Sequence, residues 1–199
     1  MSITLYTASP SRLDVSPSHV FRYLNIREPD GELLKIADEC LEEAISVAQL
    51  RAVYVKTGVA LKNGKAIFDF MEMESKDLCK FLEGCREAYV FVATIGVKAD
   101  MLVNRYLKAE PSRGVIFNAA CVVVIEAFCD KLNGYLLGKE KSGRRFSPGY
   151  GDLKLEYQRE LLSCLNADRL IGVTLTDACL MVPTKSVSAV IGIKQSELK

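Results

Sequence analysis

The sequence has 199 residues, of which 49% are hydrophobic, and this is enough for one well-buried core. We therefore expect a single domain over residues 1–199. The 26 lysines and arginines are balanced by 25 acidic residues, so the net charge favours neither nucleic acid nor an anionic membrane as a partner. Any charged ligand must then be bound by a local cluster of side chains.

The cysteine and histidine content argues against a metal site and for a reducing compartment. None of the seven cysteines forms a Cys-x-x-Cys pair, and most lie in apolar stretches, where a thiol packs as a small hydrophobic group. The N-terminus does not resemble a signal peptide, and no segment approaches the roughly 20 apolar residues of a membrane span. We expect a soluble, cytoplasmic protein with reduced cysteines. Because His19 is the only histidine, a protein-bound metal or a histidine-based triad is not expected.

The first half of the chain predicts alternating helices and strands. Ser16 and Ser75 each precede an apolar, helix-periodic segment and are suitable N-caps. Asn63-Gly64 is typical of the turn of an antiparallel hairpin. The predicted elements are helices at 16–24, 32–47 and 75–82, and strands at 52–55, 66–70 and 88–94.

The second half predicts a long buried helix followed by a loop and short strands. Apolar residues cover more than one face of the segment 113–137, so this helix should be central. Gly, Lys, Arg and Ser dominate the loop between Gly138 and Gly151, and Asp152 is placed to cap a helix after it. The other predicted elements are helices at 99–107 and 153–165, and strands at 173–176, 180–182 and 186–193. Together they indicate an α+β domain with an antiparallel sheet packed by helices.

Glu126 is a charged residue within the apolar part of the long helix. A carboxylate there loses hydration, and the cost is tolerable only if a cation or several hydrogen-bond donors lie nearby. One interpretation is that Glu126 lies on a narrow solvated strip with Asp130 and Lys131, or pairs with an arginine of the protein. The other is that it binds the ammonium group of a ligand.

The loop from Arg144 to Asp152 is the second candidate for a site. Its glycines allow the backbone to approach a ligand closely, and Pro148 restricts its freedom. An arginine there can bind a carboxylate through two hydrogen bonds, and a tyrosine ring can face a sulfonium or cover an adenine. The alternative is a purely structural turn with solvated arginines.

Three motifs occur in a fixed order along the second half of the chain. They are Glu126-Ala127-Phe128, then Arg145 followed after three residues by Gly149-Tyr150, then Leu175-Thr176 through Met181-x-Pro183 to Ser186-Val187-Ser188. This pattern resembles the C-terminal activation domain of cobalamin-dependent methionine synthase, and still more its short stand-alone relatives. The similarity extends through most of the chain from Val20 onward. The sequence departs from the family after Tyr150, where Gly151-Asp152-Leu153-Lys154 replaces a Pro-x-Cys-Pro motif.

The resemblance implies a C-shaped α+β fold that binds S-adenosylmethionine in a shallow groove. Arg145 would meet the methionine carboxylate and Glu126 the ammonium. The backbone near Ser147 would contact the nucleoside, and Tyr150, which follows Gly149 of the motif, would line the side of the methyl donor.

The resemblance also implies a role in reactivating cobalamin. In the family, cob(II)alamin formed by occasional oxidation is returned to methylcobalamin by one-electron reduction coupled to methyl transfer from S-adenosylmethionine. This chain lacks a cobalamin-ligating Asp-x-His-x-x-Gly motif, so a partner would carry the cobalamin, and a flavodoxin-like or ferredoxin-like protein would supply the electron. The alternative is a non-catalytic subunit that docks on and stabilises a corrinoid methyltransferase without binding S-adenosylmethionine. Methyl transfer to another acceptor is disfavoured by the lack of a general base.

Overall fold

The structure is a computed structural model that describes residues 2–138 and 144–194. Its eight strands are β1 (Thr4–Thr7), β2 (Arg51–Lys62), β3 (Lys65–Phe68), β4 (Glu72–Glu74), β5 (Cys85–Thr94), β6 (Thr174–Leu175), β7 (Met181–Val182) and β8 (Ser186–Lys194). Six of them form one antiparallel sheet of order β4-β3-β2-β5-β8, with β1 also paired to β2, while β6 and β7 form a separate two-stranded sheet. The predicted antiparallel sheet is confirmed.

The predicted hairpin is formed by β2 and β3. Lys62 pairs with Lys65 across the turn, and both Asn63 and Gly64 have the positive φ angles that such a tight turn requires. β2 is longer than the predicted strand at 52–55 because it continues through residues 56–62, which pair first with β5 and then with β3. This long strand therefore joins the two halves of the sheet.

Seven helices cover the two faces of the sheet within the described residues. They are α1 (Pro17–Leu24), α2 (Gly31–Val47), α3 (Lys76–Phe81), α4 (Val97–Ala109), α5 (Pro111–Leu137), α6 (Tyr157–Cys164) and α7 (Ala167–Ile171). A core of buried apolar residues joins α1, α2, α4 and α5 to one face, and a second core joins α3, α6 and α7 to the other. The sheet is therefore buried on both faces, as its apolar central strand predicts.

Helix α5 is the central helix that the sequence predicts. Its apolar residues are buried around most of the helix, including Phe117, Phe128 and Leu132, which have no exposed surface. Val115, which we expected to be buried, is instead half exposed. The C-terminal half of α5 carries Glu126 and Asp130 on its exposed strip, and this strip forms one wall of the groove described below.

The helix predicted at 153–165 begins later, at Tyr157, and Asp152 does not cap it. The backbone before Tyr157 forms turns instead, with Gly149 donating to the Leu153 carbonyl at 2.8 Å and Leu153 donating to the Tyr150 carbonyl at 3.0 Å. The Asp152 carboxylate accepts hydrogen bonds at the N-terminus of α3, 2.8 Å from the Lys76 backbone nitrogen. The prediction that Asp152 caps the helix after it was therefore wrong, and its carboxylate instead binds the N-terminus of a helix that lies far away in sequence.

The sequence also leaves β1, β4 and α7 without a prediction. Each has five residues or fewer, so each contains little periodic signal. The predicted helix starts at Ser16 and Ser75 are confirmed, since the Ser16 backbone nitrogen donates to His19 Nδ1 at 3.1 Å and the Ser75 hydroxyl accepts from the Leu78 nitrogen at 2.9 Å.

Five of the seven cysteine side chains are buried, namely Cys40, Cys85, Cys121, Cys129 and Cys179, in agreement with their predicted role as packing residues. Across the residues that the structure describes, no helix is long and apolar enough to cross a membrane.

Candidate functional site

A groove of about 520 Å³ lies between the C-terminal half of α5, the segment 144–150 and the start of β8. It is open to solvent and has both charged and apolar walls. Its lining residues are Glu126, Asp130, Arg144, Arg145, Ser147, Pro148, Tyr150, Leu155, Gln158, Met181, Ser186, Val187 and Ser188. The two regions that the sequence marks as candidates, the helix glutamate and the loop after it, therefore face the same space.

Arg145 lies at the centre of the charged wall. Its Nη2 donates to Glu126 Oε2 at 2.7 Å, and its Nη1 donates to Asp130 Oδ1 at 2.6 Å. The arginine side chain is 17% exposed, whereas the two carboxylate side chains are 54% and 56% exposed. Each carboxylate thus contributes one oxygen to a guanidinium that is held from two sides.

The charged form of Arg145 is stabilised by its surroundings. Burial by itself lowers the pKa of the guanidinium, but the neighbouring Cys129 thiol, the hydrogen bond to Asp130 and the charge of Glu126 outweigh burial and raise that pKa. Cys129 contributes little to the raised pKa of Arg145, because burial raises the pKa of the Cys129 thiol and keeps the thiol neutral. The two carboxylates are the physical cause of the stabilisation.

The loop that carries Arg145 is tied to the sheet at the next residue. The Phe146 backbone nitrogen donates to the Val190 carbonyl at 3.0 Å, and the Val190 nitrogen donates back at 2.8 Å. The Phe146 ring packs against Phe81 of α3 and meets the Tyr150 ring edge to face, with centroids 5.4 and 6.1 Å away. The position of Arg145 is therefore fixed by the main chain of β8 rather than by its salt bridges alone.

The far end of the loop is anchored on α3. The Asp152 carboxylate accepts from the Ser75 hydroxyl and from the backbone nitrogens of Lys76 and Asp77, and these hydrogen bonds lower the pKa of Asp152. Gly151 has a φ of +53°, and a Cβ there would lie 2.2 Å from the Asp77 carboxylate. A side chain at this point of the loop would require both a strained left-handed backbone and a shift of Asp77, so glycine is strongly favoured.

The floor of the groove is polar and buried. The Gln158 Nε2 donates to the Cys179 carbonyl at 2.8 Å, and its Oε1 accepts from the Ser188 hydroxyl at 3.0 Å. Ser186, at the start of β8, donates to the Pro183 carbonyl at 2.7 Å. These bonds connect α6, the β7 to β8 segment and the central sheet beneath the charged wall.

The structure brings four of the five predicted site residues to the same groove. Glu126, Arg145, Ser147 and Tyr150 all line the groove, but Gly149 does not; with a φ of +92° it forms the turn behind the lining. Glu126 lies on the solvated strip of α5 and pairs with Arg145. This agrees with the structural interpretation of Glu126 left open above.

Sequence reasoning assigned no site role to Asp130 or Gln158. Asp130 could have been found, since it lies four residues after Glu126 and therefore on the same helix face. Gln158 carried no comparable signal, because it is an uncharged residue within a predicted helix and its partners, Cys179 and Ser188, are distant in the chain.

Within residues 2–138 and 144–194, no group of three or more His, Cys, Asp or Glu side chains is placed to hold a metal ion. The groove itself presents charged, hydroxyl, amide and aromatic side chains.

Comparison with known proteins identifies the family of this fold and groove. Residues 15–197 match the family described as "Vitamin B12 dependent methionine synthase, activation domain". The chain therefore belongs to the activation-domain family of vitamin B12-dependent methionine synthase. No curated protein sequence matches it.

A solved structure shares the fold. It is described as "Crystal Structure of the MetH Reactivation Domain bound to AdoHcy", and it is similar to this chain with a TM-score of 0.71 at 14% sequence identity. The match covers 96% of this chain and 78% of the other. The predicted α+β activation-domain fold is confirmed.

Proposed function

We propose that the groove binds S-adenosylmethionine and that the chain supports reductive methylation of cob(II)alamin carried by a partner protein. The partner would be a cobalamin-dependent methionine synthase or another corrinoid protein, with a flavodoxin-like or ferredoxin-like electron donor. The observation that supports this most strongly is the fixed Arg145 guanidinium in a groove of suitable size, in a chain of the activation-domain family. The related solved structure holds S-adenosylhomocysteine, the product of such a methyl donor.

The groove has the properties that this ligand requires. Its volume of about 520 Å³ falls within the range of small-molecule sites. A guanidinium has five N–H groups, and the bonds to Glu126 and Asp130 use two of them, so others can meet a ligand carboxylate. The two carboxylates beside Arg145 suit the ligand ammonium.

Bound S-adenosylmethionine would supply an electrophilic methyl group on a sulfonium. The contribution of the chain is to place that group, since holding two reactants in one geometry removes much of the entropic cost of the reaction. Arg145 and Glu126 would fix the amino-acid end. The ring of Tyr150, which is 57% exposed at the groove edge, would face the sulfonium through its π system. The backbone at Ser147 would contact the nucleoside.

A second candidate function is favoured by one observation. Arg145 is already paired with two carboxylates, which is what a purely structural arginine would show. In that case the chain would dock on and stabilise a corrinoid methyltransferase without binding S-adenosylmethionine. The two functions can be distinguished by purifying the protein together with its partner from native cells. Only the first function makes the activity of the complex depend on S-adenosylmethionine and on Arg145.

We further propose that residues 1–199 act as one unit in the cytoplasm. Both helical layers pack on the same sheet, so neither core is complete without it. The buried cysteines are compatible with a reducing compartment.

Calorimetric titration with S-adenosylmethionine tests the binding site. We expect saturable binding by the wild-type protein and its loss in Arg145→Ala, because the ligand carboxylate then has no cationic partner. Arg145→Lys keeps the charge but not the planar, two-pronged donor set, and should bind with intermediate affinity.

Arg105→Ala is the matched control, because Arg105 is an exposed arginine of α4 that does not line the groove. It should bind as the wild type does. Circular dichroism of each variant establishes that it is folded. Wild-type protein that shows no binding, alone or with its partner, would refute the proposed function.

A further inference from the structure

The charged wall of the groove holds one carboxylate more than its central cation needs. Glu126 and Asp130 both bond to Arg145, at 2.7 and 2.6 Å, and both remain more than half exposed. One of these two carboxylates suffices to pair with the guanidinium. The carboxylate of the ligand would accept hydrogen bonds from the remaining N–H groups of Arg145. The cluster of three side chains therefore carries an excess negative charge next to the space where a ligand would lie.

Asp130 is the residue that supplies this excess. Glu126 is the carboxylate that we assign to the ligand ammonium, because it belongs to the Glu126-Ala127-Phe128 motif. Arg144 also lines the groove, but within the described residues it forms no ion pair with Glu126 or Asp130, whereas Asp130 is held in place by its bond to Arg145. Asp130 thus adds a negative charge at short range that the amino-acid end of the ligand does not neutralise.

The methyl donor and its product differ by one positive charge. S-adenosylmethionine carries a sulfonium, and loss of the methyl group leaves a neutral thioether with the same carboxylate, ammonium and nucleoside. The sulfonium lies only a few ångströms from the amino-acid end that Arg145 would hold. A carboxylate that lines the same groove, as Asp130 does, therefore interacts with the donor more favourably than with the product.

We propose that Asp130 is a specificity-determining residue that makes the groove prefer the sulfonium donor to the neutral thioether product. This inference rests on the proposed function. Its consequence is that methyl transfer itself weakens binding, because it removes the charge that Asp130 attracts. The product is then released and the groove is free for the next donor.

Asp130→Asn isolates the charge of Asp130 from its structural role. An asparagine oxygen can still accept the hydrogen bond from Arg145 Nη1, so the arginine keeps its position while one negative charge is lost. Titration calorimetry would measure the dissociation constants of S-adenosylmethionine and S-adenosylhomocysteine for the wild type and for this variant. We expect the preference for the donor to fall by about three- to tenfold, the effect of one charge across a partly hydrated groove.

Two controls distinguish this effect from loss of structure. Asp38→Asn makes the same change on α2, outside the groove, and should leave the preference unaltered. Raising the salt concentration should reduce the wild-type preference toward that of Asp130→Asn, since salt screens an exposed charge.

The outcomes separate the inference from the function on which it rests. If Asp130→Asn weakens both ligands by the same factor, or weakens neither, while the wild type binds them, Asp130 does not discriminate between them and the inference is overturned. If the wild type binds neither ligand, the proposed function and the inference are both lost.

Discussion

The amide of Gln158 is a buried link whose removal should measurably destabilise the protein. Gln158 is 4% exposed, its Nε2 donates to the Cys179 carbonyl at 2.8 Å, and its Oε1 accepts from the Ser188 hydroxyl at 3.0 Å. Gln158→Leu has a similar volume but can make neither bond. Cys179 and Ser188 are themselves 4% and 2% exposed, so water does not readily replace the lost partner.

The cost can be estimated from these two bonds. A buried polar group left without its partner costs about 1 to 3 kcal/mol, so two such groups cost about 2 to 6 kcal/mol before the gain from burying the leucine. We expect a net loss of about 2 to 4 kcal/mol in the free energy of unfolding, seen as a lower urea midpoint with an unchanged slope. Ser188→Ala removes only one of the bonds and should cost about 1 kcal/mol.

The double variant sharpens the test. Once Gln158 is replaced by leucine, the Ser188 hydroxyl no longer has its acceptor. Adding Ser188→Ala to Gln158→Leu should therefore lower the free energy of unfolding by less than Ser188→Ala does in the wild type. A change of less than about 0.5 kcal/mol for Gln158→Leu would refute the reasoning that these bonds support the groove floor.

Three further predictions concern the loop and the cysteines. The pKa of the Asp152 carboxyl is lowered in the folded protein by its hydrogen bonds, so these bonds stabilise the fold fully at pH values above 3.8, the ordinary pKa of the group. This stabilisation is lost as the pH falls through the lower pKa of the folded state. The stability gap between wild type and Asp152→Asn in urea unfolding should therefore narrow below about pH 4, and a constant gap would contradict this cause. Gly151→Ala, which places a Cβ against Asp77, should weaken S-adenosylmethionine binding by displacing the loop, whereas Gly31→Ala, with open space around it, should not. Burial raises the pKa of Cys121 to about 12, so mass spectrometry after brief alkylation should show Cys79 and Cys164, which are partly exposed, modified before Cys121.

The larger elements could be predicted from the sequence because their signals are local. The long apolar helix α5 and the Asn63-Gly64 hairpin each follow from residues that are adjacent in the chain. The start of α6 could not be predicted in this way. Asp152 has the right chemistry for an N-cap, but it serves α3, which precedes it by more than 70 residues, and no periodicity records that contact.

The candidate site shows the same limit. Arg145, Ser147 and Tyr150 lie close together in the chain, and the family resemblance marked them together with Glu126, so the sequence placed them in one site. The sequence left two interpretations of Glu126 open, and the folded chain favours the solvated strip, because the buried apolar residues cover the other faces of α5. The buried polar floor under Gln158 depends on how α6 packs on β8, which only the folded chain defines.

The central claim is that Arg145 binds the amino-acid end of S-adenosylmethionine in the groove between α5 and the 144–150 loop. A crystal structure of the protein grown with S-adenosylmethionine tests this most directly. The account predicts the ligand carboxylate within hydrogen-bonding distance of the Arg145 guanidinium, with the sulfonium toward Tyr150. A ligand bound outside the groove, or bound within it with its carboxylate away from Arg145, would contradict the account.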